Sequence, residues 1–231
     1  MGDPLNAVRI FNGFEVDELI IIDIDASVNS RGPNFDLISA IAYESRMPLC
    51  YGGGISSALE VKKIIEAGVE KVSISSSAVK NPKLIKSIAE NFGSQSISCC
   101  LDIKKHVQKG SYRAYTHNGT EEVDREIFEV INSFVEQGAG EIMINNIDRD
   151  GTMEGFDKEI IKKINTSLEI PLTAIGGASS LTNISELINE CGLIGVAAGR
   201  LWSLIGQNRS VLLNYPSKQE KLDFFKNFKN H

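Results

Sequence analysis

The chain has 231 residues, of which 42% are hydrophobic and 23% charged, and its net charge at pH 7 is −6. This composition is typical of a globular protein with a sizeable core, and the acidic balance disfavours a nucleic-acid partner, which needs a basic surface. No apolar run reaches the roughly 18 residues of a membrane helix, and the four cysteines lack metal-ligand spacing, so we expect reduced thiols in a cytoplasmic protein without membrane association.

Seven short apolar runs predict strands buried on both faces, because they lack polar alternation. They lie at residues 19–22, 48–51, 72–74, 97–101, 142–144, 171–175 and 193–197. Amphipathic patterns between them predict helices at Pro4–Phe14, Phe35–Ser45, Ala58–Ala67, Pro82–Asn91, Glu121–Gln137, Phe156–Asn165, Leu181–Asn189 and Lys218–Lys229. The segment 104–120, with Ser111–Thr116 strand-like, predicts a long loop or a hairpin. This alternation indicates a parallel α/β fold, and the lack of a linker predicts a single barrel domain over residues 1–231.

Parts of the sequence repeat with an offset of 123 residues. The repeated pairs are Glu18–Asp25 with Glu141–Asp148, and Gly53–Ser57 with Gly176–Ser180. Gly68 and Gly192 also correspond, with a slip of one residue. Two half-barrels built to the same plan produce this pattern, so we predict an α/β TIM barrel with internal half-barrel duplication.

The first half of the repeat is one strand shorter than the second. The strand that ends at Asp102 precedes the Glu141 strand, whereas only a helix-length segment precedes the Glu18 strand. We therefore expect a (β/α)₈-type barrel whose first strand is missing, with two unpaired strand edges at an open seam.

Acidic residues follow several of these strands, and the carboxyl ends of barrel strands carry catalytic groups. Asp102 ends the 97–101 strand, while Asp148 and Asp150 follow the 142–144 strand. Carboxylates at a barrel mouth suit general acid–base catalysis. The alternative is helix capping and loop hydrogen bonding, which we favour for Asp36, Asp157 and Ser180. For Asp102 we favour catalysis, because no helix starts directly after it.

Two glycine turns, at residues 52–54 and 176–177, follow strands and precede helices. Glycine lets an anion approach backbone N–H groups closely, so such turns bind phosphate. Each turn has a second element one strand later, at residues 75–77 and 198–200. A tight turn explains one such site equally well. Two sites at duplicated positions indicate a phosphorylated small-molecule substrate with a phosphate at each end.

Glu18, Lys71 and Glu141 stand at the opposite, amino-terminal ends of their strands. Such residues either face solvent on the barrel floor or, if they point inward, form a salt-bridged ring. Burying a charged ring there is unusual unless something passes through it. We assign no catalytic role to His106, His117 or His231, and no metal or dinucleotide motif is evident, so we expect neither a metal nor a cofactor.

Five segments together resemble HisF, the cyclase subunit of imidazole glycerol phosphate synthase. They are residues 52–55, 71–74, 92–95, 147–152 and 176–178, and Ile-Asp-Arg-Asp-Gly-Thr at 147–152 is the most specific. The resemblance implies that a glutaminase (HisH-like) subunit docks beneath the barrel and releases ammonia. It also implies that the ammonia reaches a bis-phosphorylated ribulosyl aminoimidazole carboxamide at the mouth, yielding imidazole glycerol phosphate and an aminoimidazole carboxamide ribotide.

The resemblance also implies roles for individual residues. It makes Asp102 the acid–base and Asp148 and Asp150 the acids of the next strand. It assigns Gly54, Ser75 and Ser76 to the first phosphate site and Gly151, Gly177, Ala198 and Gly199 to the second. It assigns Glu18, Lys71 and Glu141 to the ammonia gate.

The sequence departs from the family in three places. The family's first strand, with its catalytic Asp and gate Arg, is absent; Ser75 replaces a phosphate-binding Asn; and Gly199-Arg200 stands where a Ser is usual. Residues 22–27 and 208–217 look more like a HisF paralogue of the WbuZ type, which supplies ammonia for amidation of surface-polysaccharide or flagellar sugars. Histidine biosynthesis, sugar amidation and a non-catalytic or truncated barrel therefore remain alternatives. A HisA-like isomerase is disfavoured, because it has no use for a charged floor.

Overall fold

A computed structural model describes residues 3–106, 110–205 and 210–226. Its strands, in chain order, are β1 (Leu19–Ile22), β2 (Leu49–Gly52), β3 (Lys71–Ile74), β4 (Ile97–Lys105), β5 (Tyr112–Thr116), β6 (Glu121–Glu122), β7 (Glu141–Asn146), β8 (Leu172–Ile175), β9 (Gly195–Ala197), β10 (Leu204–Ile205) and β11 (Ser210–Val211). Its helices are α1 (Pro4–Gly13), α2 (Phe35–Glu44), α3 (Ala58–Glu66), α4 (Ser76–Lys80), α5 (Lys83–Phe92), α6 (Ile127–Glu136), α7 (Lys158–Ser167), α8 (Leu181–Cys191), α9 (Arg200–Ser203) and α10 (Lys218–Lys226).

Seven parallel strands pair in the order β1-β2-β3-β4-β7-β8-β9, with helices between them. This is the α/β TIM-type barrel predicted from the sequence. β5 pairs antiparallel with β4 and β6 with β5, so the predicted hairpin is confirmed. Among the strands of the described residues, none joins β1 to β9.

The carboxyl-terminal segment bridges the residues after β9 to those before β1. Asn214 N–H donates to the Trp202 carbonyl at 2.9 Å, while the Tyr215 hydroxyl donates to Asp17 at 2.7 Å. Lys221 in α10 also contacts Asp17, with 2.7 Å between Nζ and Oδ1. These contacts tie the two ends of the sheet together without strand pairing.

The predicted duplication is visible in the strand register. Leu19 pairs with Leu49 in one half and Ile142 with Leu172 in the other, an offset of 123 residues. The next pairs, Cys50 with Lys71 and Thr173 with Gly195, carry the predicted one-residue slip. The two halves are therefore equivalent in space as well as in sequence.

The hydrophobic core lies between the strands and the inner faces of the helices. In α6 the buried residues recur at helical spacing, as expected for an amphipathic helix with one face on a sheet. They are Ile127, Val130, Ile131 and Phe134. The strand residues opposite, such as Leu101 and Ile142, are fully buried. None of the described helices is long and apolar enough to cross a membrane.

Several predicted boundaries were wrong. The Glu121–Gln137 helix begins only at Ile127, because Glu121–Glu122 pairs with β5 after a turn at His117, Asn118 and Gly119. The short helices α4 and α9 were missed, since four or five residues carry no periodicity. Ser180 caps α8 through its hydroxyl, as predicted. Asp157 stands at the N-cap position of α7, but its carboxylate accepts from the Tyr112 hydroxyl and not from a helix N–H; the cap of α2 is Asn34 rather than Asp36. The end of the predicted Lys218–Lys229 helix and His231 lie outside the described residues.

Candidate active site

A cavity of about 1370 Å³ lies along the strands and reaches the gap between β1 and β9, where residues of α1, α8 and α10 also line it. Its walls include Glu18 and Glu141 at the amino ends of the strands and Asp102 and Asn145 at the carboxyl ends. On β4, β7 and β8 alternate positions line it, because successive residues of a strand point to opposite faces, whereas on β1 and β9 consecutive residues line it. The cavity therefore connects the predicted floor to the predicted mouth.

Asp102 lies in β4 beside Asn145 of the paired strand β7. The Asn145 amide Nδ2 donates to Asp102 Oδ1 at 2.8 Å. Burial raises the pKa of Asp102; the Asn145 hydrogen bond opposes this rise, while the negative charge of Asp150 adds to it. A half-buried carboxyl group with a raised pKa is a candidate for general acid–base catalysis.

The other two predicted acids occupy different surroundings. Asp150 lines the cavity with Asp102, although its side chain is largely exposed. Asp148 is exposed and absent from the cavity wall, and its Oδ2 accepts a hydrogen bond from the Lys105 N–H at 2.8 Å. The structure thus brings Asp150, but not Asp148, to the predicted mouth.

The first predicted phosphate site lies on the cavity wall. Gly54, Ser75 and Ser76 all line the cavity. The β5–β6 hairpin reaches this site, since the His117 N–H donates to Ser76 Oγ at 3.1 Å. Asn118 at the hairpin tip also lines the cavity. Sequence reasoning did not assign Asn118 or Asn145 to the site. For Asn118, the sequence signal was its place among the turn residues of the 104–120 segment.

The second predicted phosphate site is only partly on the cavity wall. Ala198 and Gly199 line the cavity, whereas Gly151 and Gly177 do not. Gly177 has φ +104°, and a Cβ there would collide with the carbonyl oxygen of Gly155. Gly54 has φ +70°, and a Cβ there would collide with the carbonyl oxygen of Arg31. Close backbone approach by itself therefore requires glycine at both positions.

The three charged floor residues converge on one another. Lys71 Nζ lies 2.8 Å from Glu141 Oε2 and 3.1 Å from Glu18 Oε1. The Thr173 hydroxyl donates to the second oxygen of Glu141 at 2.6 Å. Burial disfavours the Lys71 ammonium, but the hydrogen bonds and charges of the two glutamates outweigh it and raise its pKa. Lys71 thus stays a cation and pairs with both glutamate side chains.

Uncharged side chains line the cavity between floor and mouth. They are Ser73, Cys100, Met143 and Thr173, one from each of four neighbouring strands. Burial raises the pKa of the Cys100 thiol well above its usual value, so this side chain stays neutral. The passage therefore changes from charged to neutral and back to acidic along its length.

Comparisons with known proteins agree with this architecture. A relative from Leptospira borgpetersenii, provisionally named imidazole glycerol phosphate synthase subunit HisF, is 48% identical over 225 residues, which are 97% of this chain and 89% of the relative. A relative from Vibrio vulnificus, provisionally named imidazole glycerol phosphate synthase subunit hisF3, is 46% identical over 96% of this chain and 85% of its own length.

A relative from Chlorobaculum parvum, named imidazole glycerol phosphate synthase subunit HisF, is 41% identical over 80% of this chain and 73% of its own length. A family model described as "Histidine biosynthesis protein" matches residues 1–202. Because this match covers most of the chain and two of these relatives align over nearly all of it, the chain belongs to the HisF family of histidine biosynthesis proteins.

Proposed function

We propose that this chain is the ammonia-using cyclase/lyase subunit of an imidazole glycerol phosphate synthase and receives ammonia from a glutaminase subunit. One observation carries the proposal: a single cavity joins the Glu18–Lys71–Glu141 cluster to Asp102 at the other end of the strands. The name of the Chlorobaculum parvum relative supports the same activity.

The floor cluster serves as the entrance for ammonia. A charged cluster at the amino ends of barrel strands contributes little to a reaction at the mouth, but it can exclude bulk water from the passage behind it. The neutral Ser73, Cys100 and Thr173 side chains beyond it suit an uncharged guest such as ammonia better than an ammonium ion, which loses much of its hydration free energy there.

Asp102 serves as the proton-transfer group at the mouth. Ring closure with ammonia requires protons to leave the nitrogen and reach the departing group. The raised pKa of Asp102 allows its carboxyl group to carry such a proton, and Asn145 holds that group in place. Asp150 increases the negative charge around it.

The substrate is a compound with phosphates at both ends. Gly54 and Ser76 follow strands of the first half-barrel, and Gly177 and Gly199 follow the equivalent strands of the second. A substrate with one phosphate bound at each location spans the mouth, and its middle then lies above Asp102. This arrangement fits a bis-phosphorylated ribulosyl aminoimidazole carboxamide.

The test is turnover of that substrate by the purified chain with ammonium salt at pH 8.5, and with glutamine plus a HisH-type glutaminase. We expect turnover with both nitrogen sources, and we expect Asp102→Asn to abolish both rates. A folded wild-type chain with no ammonia-dependent turnover overturns the proposal. Growth of a histidine auxotroph lacking its own cyclase is the matching test in cells.

A second candidate is a paralogue that supplies ammonia for amidation of a surface-polysaccharide or flagellar sugar. Ser75 and Arg200 stand at predicted phosphate positions where the HisF sequence pattern differs. The two more similar relatives described above also carry provisional names, one of them hisF3. For this candidate we expect the chain to stimulate a glutaminase partner while failing to convert the bis-phosphorylated substrate.

A further inference from the structure

Arg200 occupies a special position in the second half-barrel. It is the first residue of α9, directly after β9, and the one-residue slip in register makes it the equivalent of Ser76, the first residue of α4. Ser76 belongs to the first predicted phosphate site and lines the cavity. The half-barrel relationship therefore places a guanidinium group where the other half has a hydroxyl group.

The Arg200 side chain connects the two loops that carry the second predicted site. Its Nη1 donates to the carbonyl oxygen of Gly151, in the loop after β7. Its backbone neighbour Gly199 lines the cavity, and so does Asp150, the neighbour of Gly151. The guanidinium group thus lies between two loops at the mouth.

This guanidinium group has unused donors. Over the part of the chain that the structure describes, Arg200 makes one hydrogen bond and no ion pair. Guanidinium has five N–H donors in a planar fork, and the fork matches two oxygens of a phosphate. By contrast, Arg31 and Arg113 are each paired with a carboxylate.

There is room for an anion beside this group. Apart from its chain neighbours, a Cβ placed on Gly151 or on Gly199 would meet no heavy atom of the described residues within 4 Å, so the space next to both glycines is open. We propose that Arg200 is the specificity-determining residue of the second site, where its guanidinium binds a phosphoryl group between Gly151 and Gly199. This inference rests on the proposed function for the existence of a doubly phosphorylated substrate.

The test titrates inorganic phosphate into the whole chain at low ionic strength, with calorimetry giving stoichiometry and affinity. We expect two phosphates per wild-type chain. Arg200→Gln should lose one of them or weaken it by about tenfold to a hundredfold, because it removes a charge-assisted pair of hydrogen bonds. Arg200→Lys keeps the charge without the fork and should fall between the two.

Arg149→Gln is the matched control. Arg149 lies in the same loop as Gly151 and also donates to backbone carbonyls, those of Glu154 and Gly155. Neither arginine is on the cavity wall, but Arg149 bonds within its own loop, whereas Arg200 reaches across from the residues after β9. We expect its phosphate affinity to stay within about twofold of wild type, a difference well below one charged hydrogen bond. Equal losses in both variants would show that Arg200 merely braces the loop and overturn the assignment.

Kinetics separate this inference from the proposed function. If the chain turns over the bis-phosphorylated substrate, we expect Arg200→Gln to raise KM much more than it lowers kcat, because the phosphate is remote from the reacting atoms. An unchanged KM with unchanged phosphate stoichiometry overturns the Arg200 assignment while the cyclase proposal stands. Two phosphates in wild type and one in the variant, without turnover, supports Arg200 while the cyclase proposal falls.

Discussion

Asn145 Nδ2 donates to Asp102 Oδ1 at 2.8 Å, while the Asn145 oxygen is buried without a hydrogen-bond partner in the described residues. The amide thus holds the carboxyl group with one end and leaves its acceptor unused. A protonated Asp102, or an amide in its place, offers a donor to that acceptor if the Asn145 side chain turns over. Asn145 can therefore hydrogen-bond to both the ionised and the protonated form of the Asp102 carboxyl group.

We expect Asp102→Asn to abolish turnover while stabilising the fold at neutral pH. General acid–base groups contribute about 10²–10⁴ in rate, so kcat should fall by at least that factor. Because the pKa of Asp102 is raised, wild-type stability falls as pH rises from the unfolded value of about 3.9 through the folded value. The extra stability of the Asp102→Asn variant should therefore be present at pH 7 and vanish below about pH 4, where Asp102 of the wild type is protonated in both the folded and the unfolded state.

Urea unfolding of both proteins at pH 7 and at pH 3.5 measures this difference. A variant that is less stable than wild type at pH 7 would show that the carboxylate, rather than its neutral form, suits the site.

We expect Lys71→Met to destabilise the protein by about 1–3 kcal/mol, because it leaves Glu18 and Glu141 facing each other without their cation. The partial exposure of the cluster keeps this figure below the loss for a fully buried pair. The glutamine-dependent rate should also fall relative to the ammonia-dependent rate, since ammonia supplied in bulk can enter from the mouth.

Lys62→Met is the control for Lys71→Met. Lys62 pairs with Glu66 on the exposed face of α3 at 3.8 Å, so its loss should change stability by less than about 0.5 kcal/mol. Equal glutamine and ammonia rates in the Lys71 variant would contradict a gate at the floor.

We expect Gly53→Ala and Gly176→Ala to destabilise the two half-barrels to a similar degree, by about 2 kcal/mol or more each. Both glycines have positive φ angles, +114° and +93°, and a Cβ on them would collide with the carbonyl oxygens of Asp23 and Asn146. These two carbonyls are themselves equivalent under the 123-residue offset.

Gly13→Ala is the control for both glycine substitutions. Gly13 ends helix α1, has no positive φ and has nothing within 4 Å of a built Cβ, so alanine should leave stability unchanged or raise it by up to about 1 kcal/mol. Thermal unfolding of the three variants measures these stabilities. A Gly176→Ala variant as stable as wild type would mean that the second glycine turn does not require glycine as the first one does.

We expect Tyr215→Phe to loosen the connection between the two ends of the sheet. The variant loses the 2.7 Å hydrogen bond to Asp17, worth about 0.5–1.5 kcal/mol, but keeps the ring contact with Trp202. Amide hydrogen exchange should accelerate in β1 and β9 more than in β4. Tyr43→Phe, at a position 93% exposed, should leave exchange unchanged in all three strands.

The amino-acid sequence by itself determined the order of the seven parallel strands and of the longer helices between them, the duplication and its one-residue slip. These features are encoded locally, in apolar runs, helical spacing and repeated segments such as Glu18–Asp25 and Glu141–Asp148. The face on which Asp102 lies followed from the same local pattern, because period two fixes it; the predicted end of the strand at Asp102 was wrong, since β4 continues to Lys105 and pairs there with β5.

Only the tertiary structure decided which side chains meet. Past the end of a strand the chain is irregular, so period two no longer fixes direction, and Asp148 binds the Lys105 N–H while Asp150 lines the cavity. The contacts of His117 with Ser76, Arg200 with Gly151 and Lys221 with Asp17 join residues 41, 49 and 204 positions apart. Long-range pairings of this kind depend on the packing of the whole barrel, which no local pattern records.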